Sequence, residues 1–302
     1  MIVRPKPGPL AVLFAIRGSI LPQIAPRVAG IALLSLAVAV SARWWPGHTP
    51  DLGVSPFALL GIVLSIFLGF RNSACYDRWW EARKQWGELI VELRCLARDS
   101  TTLLHDAALA DRVVRAGIGF AQALALRLRG RPQAAALSWL PEASRAAMAG
   151  RANLPQAILQ GVGLELAGRV RAGTLSDMLY QPFSARLAAL TAVQTACERI
   201  ANTPVPFAYT LLVHRTAMLF CLLLPFGLVG ALGLATPLVT AILAYAFFGL
   251  DALGTELEAP FEATANGLAL DAMVRSAEID LLEALGATEL PAPLRPVGYL
   301  LG

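Results

Sequence analysis

Charge is what this sequence has least of: 15% of its 302 residues are Asp, Glu, Lys or Arg, against about 25% in soluble domains. Hydrophobic residues reach 56%, against roughly 45–50%, and together these figures exclude an ordinary soluble protein of this size. The apolar residues fall in two blocks, so membrane segments account for them better than one oversized core. The four cysteines, Cys75, Cys95, Cys197 and Cys221, form no CxxC pair, which leaves no zinc or dithiol signal. They are expected to be buried small apolar residues. A cleavable signal peptide is not expected, because the first apolar run starts near Val28, behind Arg4, Lys6, Arg17 and Arg27, with no small-residue cleavage site. A basic stripe interleaved with aromatics is missing too. The net charge of +4 is small and the arginines are scattered, so nucleic acid is not an expected partner.

Catalytic motifs are also missing. There is no HExxH, GxSxG or GxxxxGKS, and His48, His105 and His214 lie far apart. GVGLELAG at 161–168 imitates a dinucleotide loop but follows no strand-forming segment. No enzyme, cofactor or metal site is expected.

What is present divides the chain into five parts. Residues 1–27 are rich in proline and basic groups, with a short apolar stretch at 10–16, and read as a cytosolic N-terminal arm. Residues 28–70 hold two hydrophobic runs. The first, 28–42, ends in Arg43, Trp44 and Trp45, an arginine that can snorkel and an interfacial aromatic pair. A turn-rich loop separates it from 52–70, which is uncharged and long enough to cross a hydrocarbon core of about 30 Å. Positive charge precedes the first run and follows the second at Arg71, Arg78, Arg83 and Lys84, so the positive-inside rule puts both outer flanks in the cytosol. Residues 71–203 show apolar positions at helical spacing with charges between, a cytosolic helical region. Breaks are expected at 130–132 and 150–155, where Gly and Pro cluster. Residues 204–250 form a second hydrophobic block. Its GALGLATP at 230–237 supplies the turn of a hairpin of two spans, and Asp251 is expected to end the fourth helix. Residues 251–302 form a loop, an acidic amphipathic helix and a Pro-rich tail. The fold class is therefore all-α, with four transmembrane helices and a large cytosolic helical region.

Three stretches carry a resemblance: FLGFRNSACYDRWWEARKQWG at 67–87, CERIANTPVPFAYTLLVHRT at 197–216 and DALGTELEAPFEATANGLALD at 251–271. In that order, around four spans, they resemble the bacterial members of the bestrophin family from about residue 15 to 280. The resemblance implies a homopentamer in the bacterial inner membrane, with both termini cytoplasmic and one pore on the fivefold axis. Its narrow neck would be lined by the second transmembrane helix. The family builds that neck from three apolar side chains one turn apart, the last being the Phe of an LGF motif. Leu68, Gly69 and Phe70 are that motif, which carries the neck to Ile62, Ile66 and Phe70. Positions i, i+4 and i+8 point the same way on a helix, and stacked apolar rings gate by dewetting. A second, cytosolic aperture in the family corresponds by spacing to Met178 and Leu179. Monovalent cations, sodium among them, are the permeating ions that the bacterial relatives imply. An anion channel of the same fold, a non-conducting scaffold or sensor, and a secondary transporter remain open alternatives.

Other residues carry narrower expectations. Asn202, Thr203, Pro204 and Pro206 would break a helix and free polar backbone near the pore. Asp77, Arg78, Glu81, Arg83 and Lys84 follow the neck at helical spacing and would form supporting salt bridges, while Trp79, Trp80 and Trp86 would anchor and pack. His214 and Arg215 lie in the third hydrophobic segment, where Arg215 would meet a carboxylate or head groups. Animal bestrophins carry consecutive acidic residues for calcium after the fourth span. Here the matching 260–267 holds one carboxylate, Glu262, too few for the six to eight oxygens calcium takes, and Glu258 and Asp271 only flank it. The tail after Leu290 is a candidate latch between subunits.

Overall fold

A computed structural model describes residues 1–3, 8, 15–16, 18–45 and 47–302. Of the N-terminal stretch at 10–16 only Ala15 and Ile16 are described; Arg4, Lys6 and Arg17 lie outside the described residues. Among the described residues every regular element is a helix, and β-type pairing is limited to isolated bridges at Ile2, Val297 and Leu300. Three continuous helical stretches are long and apolar enough to cross a membrane: Leu21–Trp44, Val54–Leu103 and Phe207–Glu258. The third is folded at Gly233, whose φ of +51° is the left-handed turn that glycine adopts without steric cost.

The chain divides into two compact units. The first comprises residues 4–79 and 204–260. Helix α1 spans Leu21–Trp44 and starts on a proline suited to the first helical turn. It begins seven residues before the apolar run at 28–42 and so takes in Arg27. At 24 residues it is about 36 Å long. Helix α2, Val54–Leu103, is one unbroken element of 50 residues. The amphipathic pattern after Phe70 is therefore a continuation of the apolar helix rather than a new one. The hairpin follows as α7, Phe207–Leu232, and α8, Thr236–Glu258. Helix α8 does not end at Asp251 as expected. It runs two further turns, because Asp251, Thr255 and Glu258 recur at helical spacing and all find a partner. The core of this unit gathers around Phe220, whose ring centroid lies 6.1 Å from Phe57 and 5.1 Å, edge-on, from Phe247. Buried Ser35 and Thr240 join α1 and α8 through their hydroxyls at 3.3 Å.

The second unit comprises residues 1–3, 80–203 and 261–302. It contains α3 at Ala107–Leu128, α4 at Glu142–Met148, α5 at Leu154–Arg171, α6 at Asp177–Asn202 and α9 at Leu270–Ala284. Helices α3, α5 and α6 start on side-chain caps, as polar residues at that position favour: Asp106 accepts from the Leu109 amide, Asn153 from Gln156 and Ser176 from Leu179. The expected breaks appear at Gly130 and Gly150, both left-handed. GVGLELAG lies inside α5. Phe120 and Leu124 of α3 are fully buried, and a Cβ on Gly117 would come within 3.1 Å of Leu93. Trp86 and Cys197 are fully buried, as are Cys75 and Cys221 in the first unit, whereas Cys95, expected to be buried with them, is half-buried. Burial, with the Glu198 and Glu81 charges adding, pushes the Cys197 thiol up to about 12. The tail is held by its own chain: Val3 donates to the Tyr299 carbonyl, Leu301 to that of Met1, and Ala272 to that of Gly302.

Candidate functional site

One face of α2 is packed along the first unit: Phe57, Leu64, Leu68, Arg71 and Cys75 are all buried, at the three-and-four spacing of a single helix face. Ile62, Ile66 and Phe70 project from roughly the opposite side and are 60%, 51% and 66% exposed. Exposure alone does not distinguish them, since Leu60, Val63 and Phe67 are exposed too. Their phase does, because together with Leu59 they form the stripe farthest from the packed face. Continuing that stripe past Phe70, the first charged side chain is Asp77. It is exposed and makes no hydrogen bond or ion pair among the described residues.

Directly beside Phe70 stands Arg71, whose side chain is 0% exposed. Its Nη1 donates to the Asp251 carboxylate at 2.9 Å and to the Asp251 carbonyl at 3.0 Å. Its Nη2 donates to Thr255 Oγ1 at 3.1 Å and to Glu258 Oε2 at 3.4 Å. The other Asp251 oxygen meets His214 Nδ1 of α7 at 2.8 Å. The other Glu258 oxygen accepts the Val205 amide at 3.2 Å, and Arg78 Nε donates to the Glu258 carbonyl at 2.7 Å. Tyr209 adds a bond from its hydroxyl to the Phe67 carbonyl at 3.1 Å. The segment that follows the LGF motif is thus tied to α7, to α8 and to the residue between Pro204 and Pro206.

Several expectations change against this geometry. It is His214, not Arg215, that meets a carboxylate; Arg215 is exposed, one helical step around from its neighbour. Glu81 pairs with Arg199 at 2.5 Å, and Trp79 stacks on Tyr76 at 6.3 Å. Glu258 and Asp271 each hold an arginine, Arg71 and Arg129. The break is where the prolines put it: α6 ends at Asn202, Thr203 caps it and α7 starts behind Pro206. Asn202, Thr203, Pro204 and Pro206 are all exposed. Met178 and Leu179 belong to the second unit, on the first turn of α6. Met178 is 80% exposed. Leu179 is half-buried and lines a cavity of about 530 Å³ with Leu103, Asp106, Arg169 and Leu175.

The Arg71 cluster escaped the sequence reading, although a signal for it exists. Asp251, Thr255 and Glu258 fall at i, i+4 and i+7, with Gly254 at i+3, so three polar side chains share one face of a largely apolar helix.

A family model described as Bacterial/Fungal Bestrophin protein matches residues 1–283. A voltage-dependent anion channel-forming protein of Mesorhizobium japonicum is 46% identical over 98% of this chain and 95% of its own length. The Escherichia coli protein of the same description, YneE, is 42% identical over 98% of each chain. A solved bacterial bestrophin homologue from Klebsiella pneumoniae superposes with a TM-score of 0.85 at 40% identity, covering 88% of this chain and all of that one. With the three motifs, the all-helical fold and these matches in agreement, the chain belongs to the bestrophin family, in its bacterial and fungal branch.

Proposed function

We propose that the chain is a passive ion channel of the inner membrane, assembled as a homopentamer around a neck of Ile62, Ile66 and Phe70. The observation that carries this reading is the unpacked apolar stripe on α2, opposite its buried face, in a chain whose relatives are named channel-forming. Five copies of the stripe facing an axis make three stacked apolar rings, which exclude water when narrow and readmit it on slight widening. Residues 28–70 and 204–250 supply four spans with both termini on the cytosolic side, where 71–203 and 251–302 lie. Met178 and Leu179 form the cytosolic aperture, and the polar backbone freed at 202–206 faces the permeation path.

The permeating ions are monovalent cations such as sodium. Supporting this, the first ionised side chain below Phe70 on the neck stripe is the exposed carboxylate of Asp77, and rings of Asp favour cations. A second reading, anion permeation, is favoured by the descriptions of the Mesorhizobium japonicum and Escherichia coli relatives. The reversal potential of the purified protein in a planar bilayer under a sodium chloride gradient separates them. A value toward the sodium equilibrium potential supports the first reading and one toward chloride the second. Phe70→Ala and Ile66→Ala should each raise the current through a neck of this kind. No current from either variant would send the protein to a non-conducting role.

A further inference from the structure

An apolar helix has no inherent reason to present one side rather than another. Helix α2 carries Leu60, Val63 and Phe67 on the flanks of the neck stripe as well as Ile62, Ile66 and Phe70 on it. In a bilayer, lipid tails are as apolar as leucine, so no hydrophobic force sets the rotation of such a helix. A buried charge can set it, because its partners must lie in one direction, and fixing a register is the best-attested use of a buried pair.

We propose that Arg71 is a positioning residue that sets the rotation of α2, and with it which side chains form the neck, by seating its guanidinium on a single face of α8. The proposal rests on the neck reading above. Arg71 and Phe70 are consecutive, so their side chains lie about 100° apart around the helix. Holding one direction therefore fixes the other. The seat is built for a guanidinium: Asp251, Thr255 and Glu258 supply acceptors at 2.9, 3.1 and 3.4 Å. His214 takes the second Asp251 oxygen and so keeps the carboxylate turned toward Arg71. Gly254 provides an independent sign, since a Cβ there would come within 3.0 Å of Arg71 Nη1 and 2.5 Å of Asn72 Oδ1. Its lack of a side chain leaves the space that the guanidinium fills. Rotation of α2 by one residue would bring Phe67 or Val63 toward the axis and strand a charge away from all three acceptors.

The test uses the full chain in liposomes, with Cys95 replaced by Ser and single reporters Ile66→Cys or Phe67→Cys. Silver ion is the thiol probe, and protection of the thiol from later alkylation is the readout. With Arg71 intact, Ile66→Cys should react and Phe67→Cys should not. Arg71→Met should lower the ratio of the two rates by at least about tenfold, well within the penalty for breaking a buried pair. Arg71→Lys, which keeps a charge for Asp251, should retain most of it. If Arg71→Met does not assemble, Gly254→Ala crowds the same seat and must shift the same ratio. An unchanged ratio in these variants would overturn the positioning role and leave the neck reading standing. Failure of Ile66→Cys to react while Arg71 is intact would remove the neck reading and this proposal together.

Discussion

The two units of this chain use charge in opposite ways. In the second, most arginines and carboxylates pair at half-exposed positions, as in Arg112 with Glu165, Arg127 with Glu198 and Arg169 with Asp106, with the buried Arg129 an exception. Such pairs contribute about 0–1 kcal/mol each because water competes for both partners. That unit is held instead by capped helices packed on Phe120 and Leu124. In the first unit, Arg71 is fully buried between Asp251 and Glu258. The comparison teaches that a charge specifies most where it is least expected. In a surface network any one pair can be lost, whereas a buried guanidinium has few orientations that satisfy it.

The sharpest way to break this contrast is Arg71→Met, which leaves the Asp251 carboxylate buried without its partner. The expected cost is about 3–5 kcal/mol, read as loss of resistance to denaturation in detergent. The double variant Arg71→Met/Asp251→Leu should recover most of it, since an apolar pair of similar volume needs no compensation. A second comparison pairs two fully buried leucines, Leu124 in the second unit and Leu68 in the first. Leu124→Ala should cost about 2–5 kcal/mol. Leu68→Ala should cost clearly less, because the unfolded reference in lipid is already apolar; equal losses in unfolding experiments would contradict the distinction.

Smaller effects sharpen the picture of the second unit. Arg186 bonds Glu92 at 3.0 Å and approaches Asp99 at 3.4 Å, and both carboxylates are nearly buried. Arg186→Ala should therefore cost about 1–3 kcal/mol, between the exposed pairs and Arg71, in the same denaturation assay. The smallest concerns Asp106, whose carboxyl the Leu109 amide holds below its ordinary value, with the Arg169 charge assisting. A lowered folded-state value means the cap stabilises α3 above the ordinary carboxylate range. That contribution fades as pH falls through the depressed value. Protection factors of the amides at the start of α3, taken relative to the intrinsic exchange rate at each pH, should fall on acidification in the unaltered protein. Asp106→Asn, which can still cap, should remove that pH dependence.

The Leu68-Gly69-Phe70 motif pointed to the stripe proposed as the neck, and helical spacing predicted the common face on which its three side chains are exposed. Gly130, Gly150, Gly233 and the prolines at 204 and 206 marked their turns because backbone geometry is local: positive φ and a missing amide act wherever those residues stand. The end of α8 was misjudged at Asp251, since a first charge after a long apolar run looks like the edge of a membrane. A charge that finds a buried partner does not end its helix. His214 and Arg215 were likewise inseparable in the sequence, although one helical step decides which of them meets Asp251.

By itself, the sequence determined the all-helical class, the hydrophobic segments and the places where helices break. Each of these depends on composition or on residues within a few positions of one another. Only the tertiary structure decided which charges pair. Arg71 and Asp251 are 180 residues apart, and nothing in either segment alone specifies how α2 and α8 are rotated when they meet. That rotation is a property of the packed unit, in which one guanidinium has to find every acceptor it can reach.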